Sequence, residues 1–414
     1  MSPVTPVLSR PLTLLLSVAC GIAVANIYFP QAISPLIADD LGVTDASAAL
    51  VVTCAQLGYA AGIFLLVPLG DRLRHRGLVT TLLALTCAGL VLAGTATALP
   101  VLAVAGVLVG LTTVVPQILI PMAAGLADPA RRGAVTGTLL AGLIGGILLA
   151  RTFSGTLGAW FDWRAPYLVA AALVLVLTVA LAVALPPTTP STDRRYPALL
   201  AASWHLLRTE PLLRRSCQYQ VLVFAAFSAA WTALALLVTG PRYGLGTEAV
   251  GVLALVGAAS MFATPFAGRR TDGRGPDAVS LWCMLGALAA ALLLLTGLLG
   301  GPVGLVGLGA GMLLLDVATQ SGQVANQARI FALRPEARAR LNTAYMTCAF
   351  LGGSAGSWLG VRAYAAFGWT GVCALAALLS GLALLRHALR GRSEPASNPR
   401  ATSPAGHPDV PAGR

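Results

Sequence analysis

The chain carries 414 residues, of which 57% are hydrophobic and only 10% charged, against roughly 45–50% and about 25% in water-soluble proteins. A mean hydropathy of +0.81 leaves no sizeable water-soluble domain, so the composition is that of a polytopic membrane protein. The net charge of +12 comes entirely from 27 arginines, with no lysine; this excludes a Walker A phosphate loop and with it ATP hydrolysis, and arginines clustered between apolar runs read as membrane orientation, not nucleic-acid binding.

Apolar stretches long enough to cross a bilayer of roughly 30 Å as helices recur twelve times. They fall at 12–37, 47–69, 78–98, 101–126, 134–159, 166–185, 217–240, 248–267, 278–300, 303–326, 342–366 and 370–390. Membrane strands are excluded, because runs this long and apolar lack period-two alternation. The opening run has the outline of a signal peptide, with Arg10, an apolar core and Ala23-Val24-Ala25. It continues through Ile27-Tyr28-Phe29, however, and is read as span one. The segment 186–216 holds five prolines and five arginines and is expected to be a cytoplasmic central loop, with a short amphipathic surface helix over 198–208. From 391 onward, prolines among Ser, Ala and Gly predict a disordered cytoplasmic tail. The expected division is therefore a six-helix bundle over 1–185, the loop, a second bundle over 217–390, and the tail 391–414.

Placing both termini inside puts twenty-three of the arginines in cytoplasmic segments and only Arg164 and Arg242 in outside loops, as the positive-inside rule requires. An offset of 206 superimposes Gln117 on Gln323, Arg132 on Arg338, Gly146 on Gly352 and Trp163 on Trp369. These matches fall at equivalent points of spans four to five and ten to eleven, so the halves read as structural repeats.

Small residues recur every fourth position on span five (Gly142, Gly146, Ala150, Ser154, Gly158) and span eleven (Gly352, Gly356, Gly360), which predicts close helix contact. The glycine-rich runs are not nucleotide loops, since no strand precedes them. All seven cysteines lie in or beside apolar runs without CxxC spacing, and the four histidines fall in loops, at the cytoplasmic end of span twelve or in the tail. No metal site, disulfide framework or cofactor is expected.

The loop after span two reads Pro68-Leu69-Gly70-Asp71-Arg72-Leu73-Arg74-His75-Arg76-Gly77, and the one after span eight Gly268-Arg269-Arg270-Thr271-Asp272-Gly273-Arg274-Gly275. Both resemble the cytoplasmic G-x-L-x-D-R-x-G-R-R/K motif of the major facilitator superfamily. The first copy has Val67 and Arg74 where the family usually has Gly, and the second lacks the Leu. The resemblance covers 12–390 and implies an all-α fold of two pseudo-symmetric six-helix bundles. Asp71, Arg72, Arg76 and Asp272 would then form a cytoplasmic gate, an Asp pairing with Arg and a facing helix N-terminus; the competing reading is that the charges only fix topology. Drug:proton antiporters of the superfamily carry G-P-x-x-G-G in span five, where this chain has Ala150-Arg151-Thr152-Phe153-Ser154-Gly155. An arginine inside the membrane thus replaces the usual proline. With Asn26-Ile27-Tyr28-Phe29-Pro30-Gln31, the chain is similar to a bacterial subgroup of drug- and metabolite-efflux transporters.

One acid lies in mid-membrane. Asp316 on span ten is followed at +4, +7 and +11 by Gln320, Gln323 and Gln327, one helical face. Such a stripe is expected to line a water-filled cavity, because an unsatisfied polar group in lipid costs several kcal/mol. Asp316 is the candidate for proton coupling, and a structural ion pair or helix-to-helix hydrogen bond, with Arg151 as one candidate partner, is the alternative. Asn26, Gln31, Gln56, Tyr59, Gln117, Arg151, Gln220, Trp231, Gln320 and Gln323 are the candidate cavity residues. The expected function is secondary active transport by alternating access in a bacterial-type cell membrane, as a monomer: proton-coupled efflux of a small molecule, or else a facilitator or importer of a polar metabolite. An enzyme is not expected, as neither paired carboxylates nor a His constellation is present.

Overall fold

A computed structural model describes residues 8–128, 131–189, 192, 194–334 and 337–389, with the side chains of Phe262, Thr264, Pro265 and Asp272 outside the described set. The expected tail 391–414 lies outside the described residues. Within them the chain is helical, without strands. Ten helices are long and apolar enough to cross a membrane. One of these, Arg338–Ala388, comprises two helices that meet at a kink at Gly368, whose φ of 61° favours glycine. A shorter apolar helix, Thr247–Met261, runs into Thr264–Arg274. Divided and completed in this way, the helices match the twelve apolar stretches.

Span one is broken at mid-membrane into Arg10–Ala25 and Phe29–Leu41, and span four into Leu99–Thr112 and Val115–Leu126. Each second segment has a proline in its first turn. Proline fits there but cannot continue a preceding helix, since it lacks the N–H and crowds the carbonyl four residues back. The breaks meet: Thr113 donates its hydroxyl to the Ala23 carbonyl at 2.5 Å. Spans two, three, five and six are Leu50–Leu65, His75–Gly94, Arg132–Trp160 and Ala165–Ala184. In the second half, spans seven and ten are the unbroken helices Pro211–Thr239 and Gly301–Phe331, and span nine is Pro276–Leu293. Spans seven and ten are longer than the apolar runs predict, so Arg215 and Arg329 are helical residues.

Small-residue stripes seat the helices in a repeated way. A Cβ added at Gly146 would lie 2.2 Å from the Gly21 carbonyl oxygen, joining spans five and one; at Gly356 it would lie 2.1 Å from that of Ala225, joining spans eleven and seven. The repeated tryptophans also act alike. Trp163 donates to Asp40 Oδ2 at 3.0 Å and Trp369 to the Leu294 carbonyl at 2.7 Å. Span six turns apolar side chains outward, with Val176 68% and Val183 77% exposed, a surface suited to lipid and not to water.

Between the halves, Tyr196–Thr209 forms the expected surface helix, burying Leu199, Ser203 and Leu206 and exposing Trp204, over which Arg208 stacks at 4.9 Å. The preceding loop caps span three: the His75 backbone N–H donates to Thr188 Oγ1 at 3.1 Å, satisfying a helix-terminal donor.

Candidate functional site

A cavity of about 1030 Å³ lies between the halves. Asp71, His75, Pro187, Thr188, Arg338 and Arg340 are in its wall, so it opens on the arginine-rich face. Its lining is apolar, from Ile63, Ile118, Ile144, Ile147 and Met346, with Gln117, Gln320, Gln323, Gln327 and Asn342 as polar points. This is the usual make-up of a small-molecule site. One polar chain crosses it. Gln327 donates to Asn342 Oδ1 at 3.3 Å, Asn342 to Gln117 Oε1 at 3.3 Å, and Gln117 to the Tyr59 hydroxyl at 3.5 Å, tying spans ten and eleven to four and two.

Above the cavity, Tyr28, Tyr59, Phe224, Phe227 and Phe350 surround a space of about 30 Å³, room for about one water. Beyond it the charged core is closed. Arg151, fully buried, donates Nε–H to Gln31 Oε1 at 2.8 Å, and its guanidinium carbon lies 4.2 Å from the Trp231 ring centroid, 5.0 Å from Tyr28 and 5.5 Å from Phe227. Trp231 in turn donates Nε1–H to Asp316 Oδ1 at 3.4 Å. Arg151 belongs to the first half, Trp231 and Asp316 to the second. No direct ion pair joins the two charges; an indole links them. Four side chains here keep unpartnered buried atoms among the described residues: Asn26 Oδ1 and Nδ2, Gln31 Nε2, Arg151 Nη2 and Asp316 Oδ2.

The opposite end is sealed by contacts between the halves. Thr152 donates to the Gly251 carbonyl at 2.8 Å and Thr247 to that of Gly155 at 3.0 Å, joining spans five and eight. Gln56 donates to Ser228 Oγ at 3.4 Å and accepts from Ser357 at 3.5 Å, joining span two to seven and eleven.

The candidate residues therefore separate into layers. Gln117, Gln320 and Gln323 line the main cavity and Tyr59 the small space. Asn26, Gln31, Gln56, Arg151, Gln220, Trp231 and Asp316 are buried and absent from the main cavity's lining. The expectation that Asp316 itself lines the water-filled cavity is corrected: it is fully buried. The stripe from Asp316 to Gln327 rises about 16 Å along the helix, and only its lower part reaches the opening. Asp71 stands at the cavity mouth, its carbonyl accepting from the Thr192 N–H at 3.2 Å. Arg72 and Arg76 are exposed, and the Asp272 side chain lies outside the described residues.

Sequence reading missed a second polar cluster. Asp277 Oδ1 accepts from Arg329 at 2.7 Å and from Arg215 at 3.1 Å. Arg329 also donates to Asn326 at 2.7 Å, Ser280 at 3.0 Å and Ser216 at 3.1 Å. Gln220 connects this cluster to the cavity, accepting from Tyr345 at 2.8 Å and donating to Gln323 at 3.5 Å. The available signals were Asn326 and Arg329 at i and i+3 and Asp277 in a first helical turn, where a negative charge is stabilised.

The sequence profile of the Major Facilitator Superfamily matches residues 14–357. The chain belongs to the major facilitator superfamily. It is 36% identical over 379 residues to the uncharacterized transporter YgaY of Escherichia coli O157:H7, covering 91% of this chain and 95% of that one. Identity to the probable transporter SCO4007 of Streptomyces coelicolor is 38% over 366 residues, covering 87% and 83%. The chloramphenicol resistance protein of Streptomyces lividans is 29% identical over 290 residues, covering 67% of this chain and 73% of its own. The crystal structure of the nucleoside transporter NupG superposes with a TM-score of 0.73 over 92% of this chain and 99% of that one, at 13% identity, a likeness of fold. The chain is thus a multi-pass membrane transporter and not an enzyme.

Proposed function

We propose that this transporter is a proton-coupled exporter of a small molecule, working by alternating access. The observation that carries the reading is Asp316: a carboxylate fully buried in mid-membrane, with one oxygen unpartnered, between an open cavity on one side and a seal on the other. A carboxyl in such a place is a group that a proton could ride across the membrane, and rocking of the bundles 1–185 and 217–390 about the core would open it to each side in turn. The arginine-rich face is the cytoplasmic one in this reading, with both termini inside and the loop 186–216 linking the bundles, in a bacterial-type cell membrane and as a monomer. The present state is then inward-open. Asp71, with Arg72, Arg76 and Asp272, would close that mouth in the opposite state. Efflux is favoured over import by the relative named for chloramphenicol resistance.

The test uses purified protein in vesicles with an imposed pH gradient and a panel of drugs, nucleosides and sugars. Asp316→Asn keeps shape but cannot titrate. It should abolish proton-driven accumulation and spare energy-independent exchange. Full pH-driven transport by this variant would remove the proposal, and loss of exchange as well would assign Asp316 to binding or structure. Wild-type transport indifferent to the gradient would favour a facilitator.

A further inference from the structure

The charged core contains one positive and one negative side chain, on different halves, that do not neutralise each other directly. Arg151 keeps Nη2 without a partner and Asp316 keeps Oδ2 without one, both fully buried. Leaving buried charged groups short of hydrogen bonds costs more than leaving neutral ones short, so these atoms are poised for a ligand. Gln31 Nε2 and one donor on Asn26 are open in the same region. On the other side, a Cβ at Gly257 would lie 2.4 Å from Asp316 Oδ2 and 3.4 Å from the Trp231 ring; only glycine leaves that oxygen its space.

We infer that this core binds a zwitterion with an apolar body, of the amino-acid or short-peptide class, its carboxylate on Arg151 and Gln31 and its ammonium on Asp316. A solute carrying only a cation would leave the guanidinium unpaired, and one carrying only an anion would leave the carboxylate unpaired. A molecule bearing both charges completes both sites at once. Both charged groups would lie beside the indole of Trp231, which touches Arg151 and Asp316 together. Phe227 and Phe350 border this core at a space with room for about one water, so the ligand enters only as the halves part, and its apolar body would then lie toward the main cavity, past Ile147. The inference rests on the transport reading and extends it: proton and ammonium compete for one carboxylate, so loading the substrate from one side expels the proton carried from the other.

The experiment measures binding to the full-length protein in detergent, by thermal shift and equilibrium dialysis, and so does not depend on transport. The probes are L-phenylalanine and alanyl-phenylalanine, each compared with its methyl ester, which lacks the anion, and its N-acetyl derivative, which lacks the cation. Each zwitterion should bind about ten-fold or more tighter than either analogue, the worth of one charge-assisted contact. In Asp316→Asn the advantage over the N-acetyl compound should vanish; in Arg151→Gln the advantage over the ester should vanish. The wild-type comparison stands even if a variant fails to fold. Equal affinity of parent, ester and N-acetyl compound overturns the inference, as does preference for a singly charged analogue or no binding by any probe. Proton-driven transport of another solute in the same vesicles would leave the exporter reading intact in those cases, whereas zwitterion binding without any proton-linked transport would sink the exporter reading alone.

Discussion

Trp231 donates its indole N–H to Asp316 Oδ1 at 3.4 Å, and the same ring lies 4.2 Å from the guanidinium carbon of Arg151. One aromatic side chain thus touches both mid-membrane charges. Trp231→Phe keeps a ring beneath Arg151 but removes the only hydrogen-bond donor that Asp316 has among the described residues. It should fold with a near-normal melting temperature and lose about ten-fold in transport rate. Trp231→Ala removes the ring as well and should cost about 3–5 kcal/mol of stability. Vesicle transport and thermal unfolding, measured on both variants, separate the two roles; equal transport by Trp231→Phe and wild type would show that the indole N–H is unimportant.

Arg151→Lys keeps the charge but loses the planar group. The guanidinium uses Nε on Gln31 while its plane rests among Tyr28, Phe227 and Trp231, a combination an ammonium cannot reproduce. Substrate affinity should fall by about ten-fold if the residue touches substrate, with normal expression. A fall in expression alone would make Arg151 structural, and an unchanged variant would eliminate both roles.

Helix contact offers a prediction with an internal control. Gly356→Val places a side chain 2.1 Å from the Ala225 carbonyl oxygen at its first atom and should destabilise the second bundle by about 1–3 kcal/mol or more. Gly145, on span five beside the packed stripe, has nothing within 4 Å of where a Cβ would stand. Gly145→Ala should therefore be tolerated, or stabilise the helix by about 0.5–1 kcal/mol. Similar melting temperatures for the two variants would refute the packing assignment.

Much of the fold was legible because its signals are one-dimensional. Span number follows from apolar length, the arginine-rich face from loop charge, and the close contacts of Gly146 and Gly356 from small residues every fourth position. The breaks in spans one and four were also written locally, in Pro30 and Pro116, yet an apolar run through a break looks the same as one through a continuous helix. What lines the cavity was less legible. Helical spacing aligned Asp316 with Gln320, Gln323 and Gln327 correctly, but which of them meets water depends on how the halves are tilted, and each tilt fits the same sequence. Asn26, Gln31 and Gln56 read as polar residues at membrane depth without any sign of their layer. The cluster around Asp277 is not legible because Arg215 and Arg329 read as loop residues whose charge sets orientation; helices extending past the apolar runs turn both inward.

Asp71→Asn tests the proposed gate. The residue stands at the cavity mouth, and the exchange removes charge at nearly constant size. Insertion and melting temperature should stay normal while turnover falls several-fold, since closing that mouth would lose one charged partner, worth about 0.3–1 kcal/mol at an exposed helix end and more where partly buried. Normal turnover in a well-folded variant would return Asp71 to a purely topological role.

The Asp277 cluster gives the sharpest stability test. Arg329 is nearly enclosed, its side chain 4% exposed, and it joins spans seven, nine and ten through Ser216, Asp277, Ser280 and Asn326. Removing one partner of a buried pair costs about 3–5 kcal/mol, because the other is left uncompensated. Here Asp277 is 40% exposed and also accepts from Arg215, so Arg329→Gln should cost about 2–3 kcal/mol, below that range. Lysine keeps the charge yet cannot span Asp277 and Asn326 with two nitrogens at once, so Arg329→Lys should recover only part of the loss. The double variant Arg329→Gln, Asp277→Asn removes both charges and should be less damaging than the sum of the single changes by about 1–2 kcal/mol. Thermal unfolding of the four proteins completes the cycle. Additive losses would mean that the two charges do not depend on each other. A coupling of the expected size would establish the cluster as the tie among spans seven, nine and ten. Gln220 connects that tie to Gln323 on the cavity wall, so weakened substrate binding in Arg329→Gln alongside the stability loss is the further outcome expected.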